Sequence, residues 1–253
     1  MEVENKFMKK NKIIAILMVM TLSLSFTLTG CSDNNNKSSK VETSIVETGA
    51  AESSTPDEYT IEDEQYNVKN VIIKHPKLKY SDENKTNIIS ALVESGGMIS
   101  TKYYDDQDKL NMNIKYKIKR KNKKIISVVF EGTGYVEGAA YANNHLYSVN
   151  VDLKNESLLK LSDFIDINEE LAEKIKNATV SDEQKEAFNT LTSQDILNKL
   201  SVCDEVDNFK SDQSYSYLTE DSLGIILPVE HALGDYIQVE IPLSEIQLKM
   251  EIE

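Results

Sequence analysis

Leu110-Asn111-Met112-Asn113-Ile114-Lys115-Tyr116-Lys117-Ile118 alternates apolar and polar residues without a break. A period of two sends successive side chains to opposite faces, so the stretch predicts a strand with one face on a core and one in water. Lys121-Asn122-Lys123 supplies a polar turn, and the apolar run 125–130 returns, which makes a hairpin.

Working outward, residues 60–73 are strand-like and end in Val71-Ile72-Ile73, and Pro76 holds the chain extended beyond them. Ser81-Asp82-Glu83 opens a predicted helix with Ser81 as N-cap; Ile88, Ile89, Leu92 and Val93 share one face, and Gly96-Gly97 ends it. Strands are expected at 146–151 and 158–164. Asn168 caps a short helix with Glu169 and Glu170 in its first turn and Lys174 and Lys176 in its last. Ser181 with Gln184 reads as a capping box for a second helix, and 194–200 as a third. Strands at 215–218, 223–227 and 236–241 follow. Hairpin-length connections dominate, so the expected class is α+β: an antiparallel sheet with helices packed on one face. Residues 59–154 form its N-terminal part and 155–253 its C-terminal part.

The N-terminus reads as an address. Lys6, Lys9, Lys10 and Lys12 precede 18 uncharged residues (13–30) that end in Leu28-Thr29-Gly30-Cys31. That tetrapeptide resembles a bacterial lipobox, so 1–30 is expected to be a signal peptide and Cys31 the lipidated first residue of the mature chain. A diacylglyceryl thioether supplies the two acyl chains that stable anchoring needs, and places the protein on the outer face of the cytoplasmic membrane. Residues 31–58 carry no aromatic and no leucine and read as a disordered, flexible tether. As a coil this segment spans about 30 Å.

The 253 residues hold 28 Lys+Arg and 42 Asp+Glu, a net charge of -14; residues 1–30 contribute four lysines and two glutamates, so the mature chain stands at -16. Such a balance excludes a nucleic-acid binder, which needs a basic face. Two cysteines and three scattered histidines (His75, His145, His231) give no metal-ligand spacing, and no cofactor is expected. Cys203, the one cysteine left after Cys31, reads as a small packed hydrophobe. Gly132-Thr133-Gly134 lacks the ending of a phosphate loop and reads as a bend or bulge. Asp105-Asp106 reads as solvated surface.

Two features are candidates for contact. Lys115, Lys117, Lys119, Arg120, Lys121, Lys123 and Lys124 put seven positive charges in ten residues, and Lys117, Lys119, Arg120, Lys121 and Lys123 are the candidate contact for anionic polymer. The other reading is an edge hairpin kept soluble by lysine. Tyr135, Tyr141 and Tyr147 recur at six-residue spacing and are the candidate ligand surface, since tyrosine joins a broad apolar face to a polar tip.

The runs 135–140, 146–153 and 158–164, with 217–223 and 241–246, together resemble an extracellular domain family of largely unknown function. That family occurs in the lysozyme-sensing anti-sigma factor of low-GC Gram-positive bacteria and beside peptidoglycan deacetylase domains. Residues 66–73 and 78–93 resemble its N-terminal companion. The resemblance implies an α+β module that binds something outside the cell. Tyr141 stands where the family pattern has a histidine. No deacetylase domain and no sigma-binding segment accompanies the match, so the expected function is non-catalytic binding or sensing at the envelope. The expected ligand is a lysozyme-like cationic protein or a wall glycan; an envelope accessory protein and a wall-modifying enzyme are the alternatives.

Overall fold

The computed structural model describes residues 59–205 and 212–253; the expected signal peptide 1–30, Cys31 and the tether lie outside the described residues. Strands β1 (Tyr59–Val68) and β2 (Val71–Tyr80) form an antiparallel hairpin turning at Lys69, which takes a positive φ of 56°. Helix α1 (Glu83–Gly97) and a 3-10 turn (Met98–Tyr103) then carry the chain back across the sheet, so β3 (Leu110–Lys121) enters parallel to β2. Parallel neighbours cannot be joined by a hairpin and need such a crossover. The parallel ladder covers only Val71 to Ile73 against Met112 to Ile114, which leaves Pro76 beyond it and spares the ladder a missing N–H. Strands β4 (Ile125–Val136), β5 (Asn143–Asp152) and β6 (Ser157–Leu159) follow antiparallel, giving the order β1-β2-β3-β4-β5-β6. The sheet is therefore mixed, not antiparallel, and the β3–β4 hairpin is central, not an edge.

Two details correct the local expectations for this half. Asp82, not Ser81, caps α1, accepting from Asn84 N at 2.9 Å. Gly96 does not stop the helix; it belongs to α1, where an added Cβ would sit 2.6 Å from Val149 Cβ, so the helix can lie on β5 only with glycine there.

A bulge between Ile118 and Arg120 decides where the sole arginine goes. Ile118 pairs with Val128 and Arg120 with Ser127, so two residues of equal parity on β3 face opposite sides of the sheet. Arg120 is 3% exposed and donates to the carbonyls of Thr219 (2.8 Å), Glu220 (3.1 Å) and Ile252 (3.1 Å).

The chain then leaves the first sheet. Lys160 breaks the expected 158–164 strand: α2 (Leu161–Phe164) begins after it, with Asp163 accepting from Lys160 N at 2.8 Å. Helix α3 (Glu169–Lys176) is capped by Asn168 as expected. The Ser181–Gln184 box does not form: 182–184 make a 3-10 turn, and Gln184 Oε1 accepts instead from Gln238 N. Helices α4 (Lys185–Thr190) and α5 (Ser193–Leu200) follow, the latter closed by a Thr192–Asp195 box. Strands β7 (Tyr215–Leu218), β8 (Ser222–Pro228) and β9 (Tyr236–Pro242) form a second, antiparallel sheet.

That second sheet is covered on both faces. Leu218, Leu223, Ile225, Leu227, Ile237, Val239 and Ile241 join the core made with α2–α5, while Tyr215, Tyr217 and Ile226 join the core of the first sheet. The helices are thus divided: α1 lies on the first sheet and the rest serve the second. β7 presents outward backbone groups, and the first sheet satisfies them with side chains. Ser148 Oγ (2.5 Å) and Asn150 Nδ2 (2.8 Å) donate to Ser216 O, and Leu218 N donates to Ser127 Oγ (2.9 Å). A strand edge left bare would invite foreign pairing; here it is sealed.

Candidate functional site

The site forms where the near ends of β4 and β5 meet the loop between β8 and β9. Gly132 and Gly134 are regular, paired residues of β4, not a bend or bulge. The absence of a side chain at Gly134 lets the Tyr104 ring lie against the strand; any Cβ there would overlap its hydroxyl. Tyr103 and Tyr104, at the end of the 3-10 turn, bracket His145 with ring centroids 5.1 and 5.6 Å away. Asn143 Nδ2 donates to the Tyr104 hydroxyl at 3.2 Å, and the same hydroxyl is hydrogen-bonded to His145 Nε2 at 2.7 Å. Burial depresses the His145 pKa to about 4, partly opposed by the charge of Asp235, so the imidazole is neutral at pH 7. Burial likewise pushes the Tyr103 and Tyr104 hydroxyls up, so both stay protonated donors.

The facing wall is a tight loop. A 3-10 turn (His231–Leu233) ends at Gly234 (φ 105°), and Asp235 follows, also at positive φ (74°), a conformation aspartate tolerates better than most residues. The turn aims the Asp235 carboxylate at β5: Oδ2 accepts from Asn144 N and Asn144 Nδ2, both at 2.9 Å. His231 Nδ1 lies 2.8 Å from the other oxygen. Tyr141, from the β4–β5 loop, stacks on the His231 ring at 4.0 Å and 10°, and is 57% exposed. Asp235 also lines a cavity of about 200 Å³, whose walls include Tyr103, Asn143, His145, Tyr147, Tyr215 and Tyr236.

Two of the three histidines therefore converge on Asp235, while His75 is buried in β2 on the other side of the sheet order. Among the described residues no group of His, Cys, Asp and Glu is arranged to hold a metal ion, and no helix is long and apolar enough to cross a membrane. The tyrosine candidates separate. Tyr141 is exposed and stacked on His231 of the β8–β9 loop. Tyr135 is half-buried and donates to Ala139 O at 3.2 Å, bracing the loop that presents Tyr141. Tyr147 is 1% exposed, stacked on Phe130 and hydrogen-bonded to Gly97 O (2.6 Å) and Ser100 Oγ (2.9 Å), so it belongs to the core and also forms part of the inner wall of the cavity. The reason is that β5 is covered on both faces from His145 onward.

The basic cluster also disperses. Arg120 is buried as described; Lys117 pairs with Glu131 at 2.7 Å, and Lys119 lies over the Tyr217 ring and 3.7 Å from Glu240. Lys121 and Lys123 are exposed at the turn. Arg120 thus leaves the candidate surface, while Lys117, Lys121 and Lys123 stay exposed. Cys203 is buried and burial raises its thiol pKa well above the ordinary value, which leaves it as packing. Asp105 is exposed, and Asp106 accepts from the backbone of Asp108 and Lys109 in a surface turn. Tyr104, Asn143, Asn144 and Asp235 were not singled out from sequence; adjacent tyrosines at 103–104 and the Gly234-Asp235 turn were the available signals.

No family model and no curated protein matches the chain. Two solved structures that it resembles are DUF3298 family members. One, from Bacteroides fragilis, is 17% identical with a TM-score of 0.47 over 76% of this chain and 94% of that one. The other, from Pseudomonas aeruginosa, is 15% identical with a TM-score of 0.39 over 77% and 94%.

Proposed function

We propose that the protein is a lipid-anchored, extracellular, non-catalytic binding or sensing module of the Gram-positive envelope. Cys31 holds it to the outer face of the membrane, and the tether lifts the folded part toward the wall. The observation that carries the binding role is the cavity just described, with tyrosine faces and a side-chain amide, and with the exposed Tyr141 stacked on His231 of the loop that supplies Asp235. Rings with polar tips and neutral donors are the chemistry of recognition. Its ligand is a wall glycan or a lysozyme-like cationic protein; the net charge of -16 on the mature chain steers the latter toward it at low salt.

Metabolic labelling with palmitate tests the anchor: the wild type incorporates label and Cys31→Ala does not. Unchanged labelling of the variant overturns anchoring. Calorimetric titration of the purified protein with lysozyme and with isolated wall glycan tests binding. Saturable binding to either supports the reading, and silence with both removes it.

A further inference from the structure

We propose that the cavity between β5 and the β8–β9 loop binds one neutral sugar ring carrying an acetamido group, with Tyr141 as the platform for the neighbouring ring. This rests on the binding role proposed above and names its ligand class.

Size gives the first limit. At about 200 Å³ the cavity is smaller than the roughly 300–1,000 Å³ of sites for drug-sized ligands, so it takes one ring, not a chain or a protein loop. Charge gives the second. Among the described residues no lysine or arginine lines it, and burying an anion against those walls without a partner is costly, which argues against phosphate and carboxylate polymers. Asp235, the one carboxylate lining it among the described residues, already accepts two hydrogen bonds from Asn144 and faces His231, so it does not call for a cation. A neutral ligand remains.

The polar groups give the third limit. Tyr103 and Tyr236 offer ring surface to C–H groups, and the Tyr236 hydroxyl is held protonated by burial. Asn143 spends one N–H on Tyr104, which leaves its Oδ1 to accept an amide N–H from the ligand. An acetamido group presents that N–H beside an apolar methyl, which suits an amide set between aromatic walls. Outside, Tyr141 is fixed face-on by His231 and exposed, the arrangement on which an adjoining sugar of a chain stacks.

The test is a titration of the mature protein in detergent with chitotetraose, cellotetraose and tetragalacturonate, with and without Tyr141→Ala. Tyr141 is exposed, and a thermal melt checks that the variant folds. Chitotetraose is expected to bind, with cellotetraose and tetragalacturonate at least tenfold weaker and Tyr141→Ala weakening chitotetraose about tenfold. No binding of chitotetraose at millimolar concentration overturns the proposal, as does equal binding of cellotetraose or of the folded variant. Lysozyme or whole wall glycan bound by a protein that ignores chitotetraose sinks this inference alone; binding to none of them sinks the broader role as well.

Discussion

The two sheets solve burial differently. The six-stranded sheet has a core rich in ring systems whose hydroxyls are tied down, such as Tyr147 to Gly97 and Ser100, and it ends in a neutral buried base, His145. The three-stranded sheet and its helices bury mostly Leu, Ile and Val, with a buried acid at the border: Asp204 accepts from Leu161 N (2.9 Å), Ser216 N (2.8 Å) and Ser216 Oγ (2.5 Å). Burial raises that carboxyl to about 6 in spite of those donors. One region thus resists protonation and the other resists ionisation, and the two meet along the seam of Ser127, Ser148, Asn150 and Ser216. The contrast teaches that the regions are separate in composition but share their polar accounting.

The strongest way to break this comparison is to hollow out each core. Phe130→Ala in the first and Phe164→Ala in the second should each cost about 3–5 kcal/mol. Because Tyr215, Tyr217 and Ile226 of the second sheet lie in the first core, urea unfolding followed by circular dichroism should shift as one transition for both variants. Two separate transitions would show that the regions fold independently.

The pH terms come next. His145 is depressed from 6.5 to about 4, so the unfolded chain binds the extra proton and stability is lost as pH falls from about 6.5 to 4; the full term is about 3 kcal/mol. Asp204 is raised from 3.8 to about 6, so the folded chain holds the extra proton and stability is lost as pH rises over that interval, again by about 3 kcal/mol. Between pH 4 and 6 the two contributions cancel. Relative to wild type, His145→Asn should tilt the stability profile downward with rising pH and Asp204→Asn should tilt it upward, whatever each costs at a fixed pH. Parallel profiles for all three proteins in chemical denaturation would contradict the opposed burial.

A smaller effect sharpens the picture at the seam. Arg120→Lys keeps the charge and loses the fork that reaches three carbonyls, and should cost about 2 kcal/mol. Amide exchange should quicken at 219–221 and near Ile252 and stay unchanged in β1 and β2. A uniform increase would mean that the arginine supports the whole fold and not the junction.

Much of the local structure was legible. The alternation at 110–118 is β3, the Asn168 cap and its charged turns are α3, and the three late apolar runs are β7 to β9. Of the site, the sequence pointed to Tyr147 in the cavity wall and to Tyr141 beside the β8–β9 loop. His231 and Asp235 share one loop, but Asn144 and Tyr104 come from two other segments far from it in the chain, and no spacing announces that they meet. Tyr147 carries the same alternating signal as a half-exposed strand residue, and only the second sheet on the far side of β5 makes its strand fully buried.

Periodicity, caps and turns depend on neighbours within about four residues, so local composition dictates which stretches become strands and helices and where most of them stop. The tertiary structure decided what those elements face. The crossover through α1 made β2 and β3 parallel, and one extra residue at the bulge turned Arg120 from a surface charge into a buried strap. The docking of the second sheet converted exposed faces into interior and closed the cavity. Each of these depends on contacts between residues distant in the chain, where a shift of a single position reverses which side of a strand meets the core.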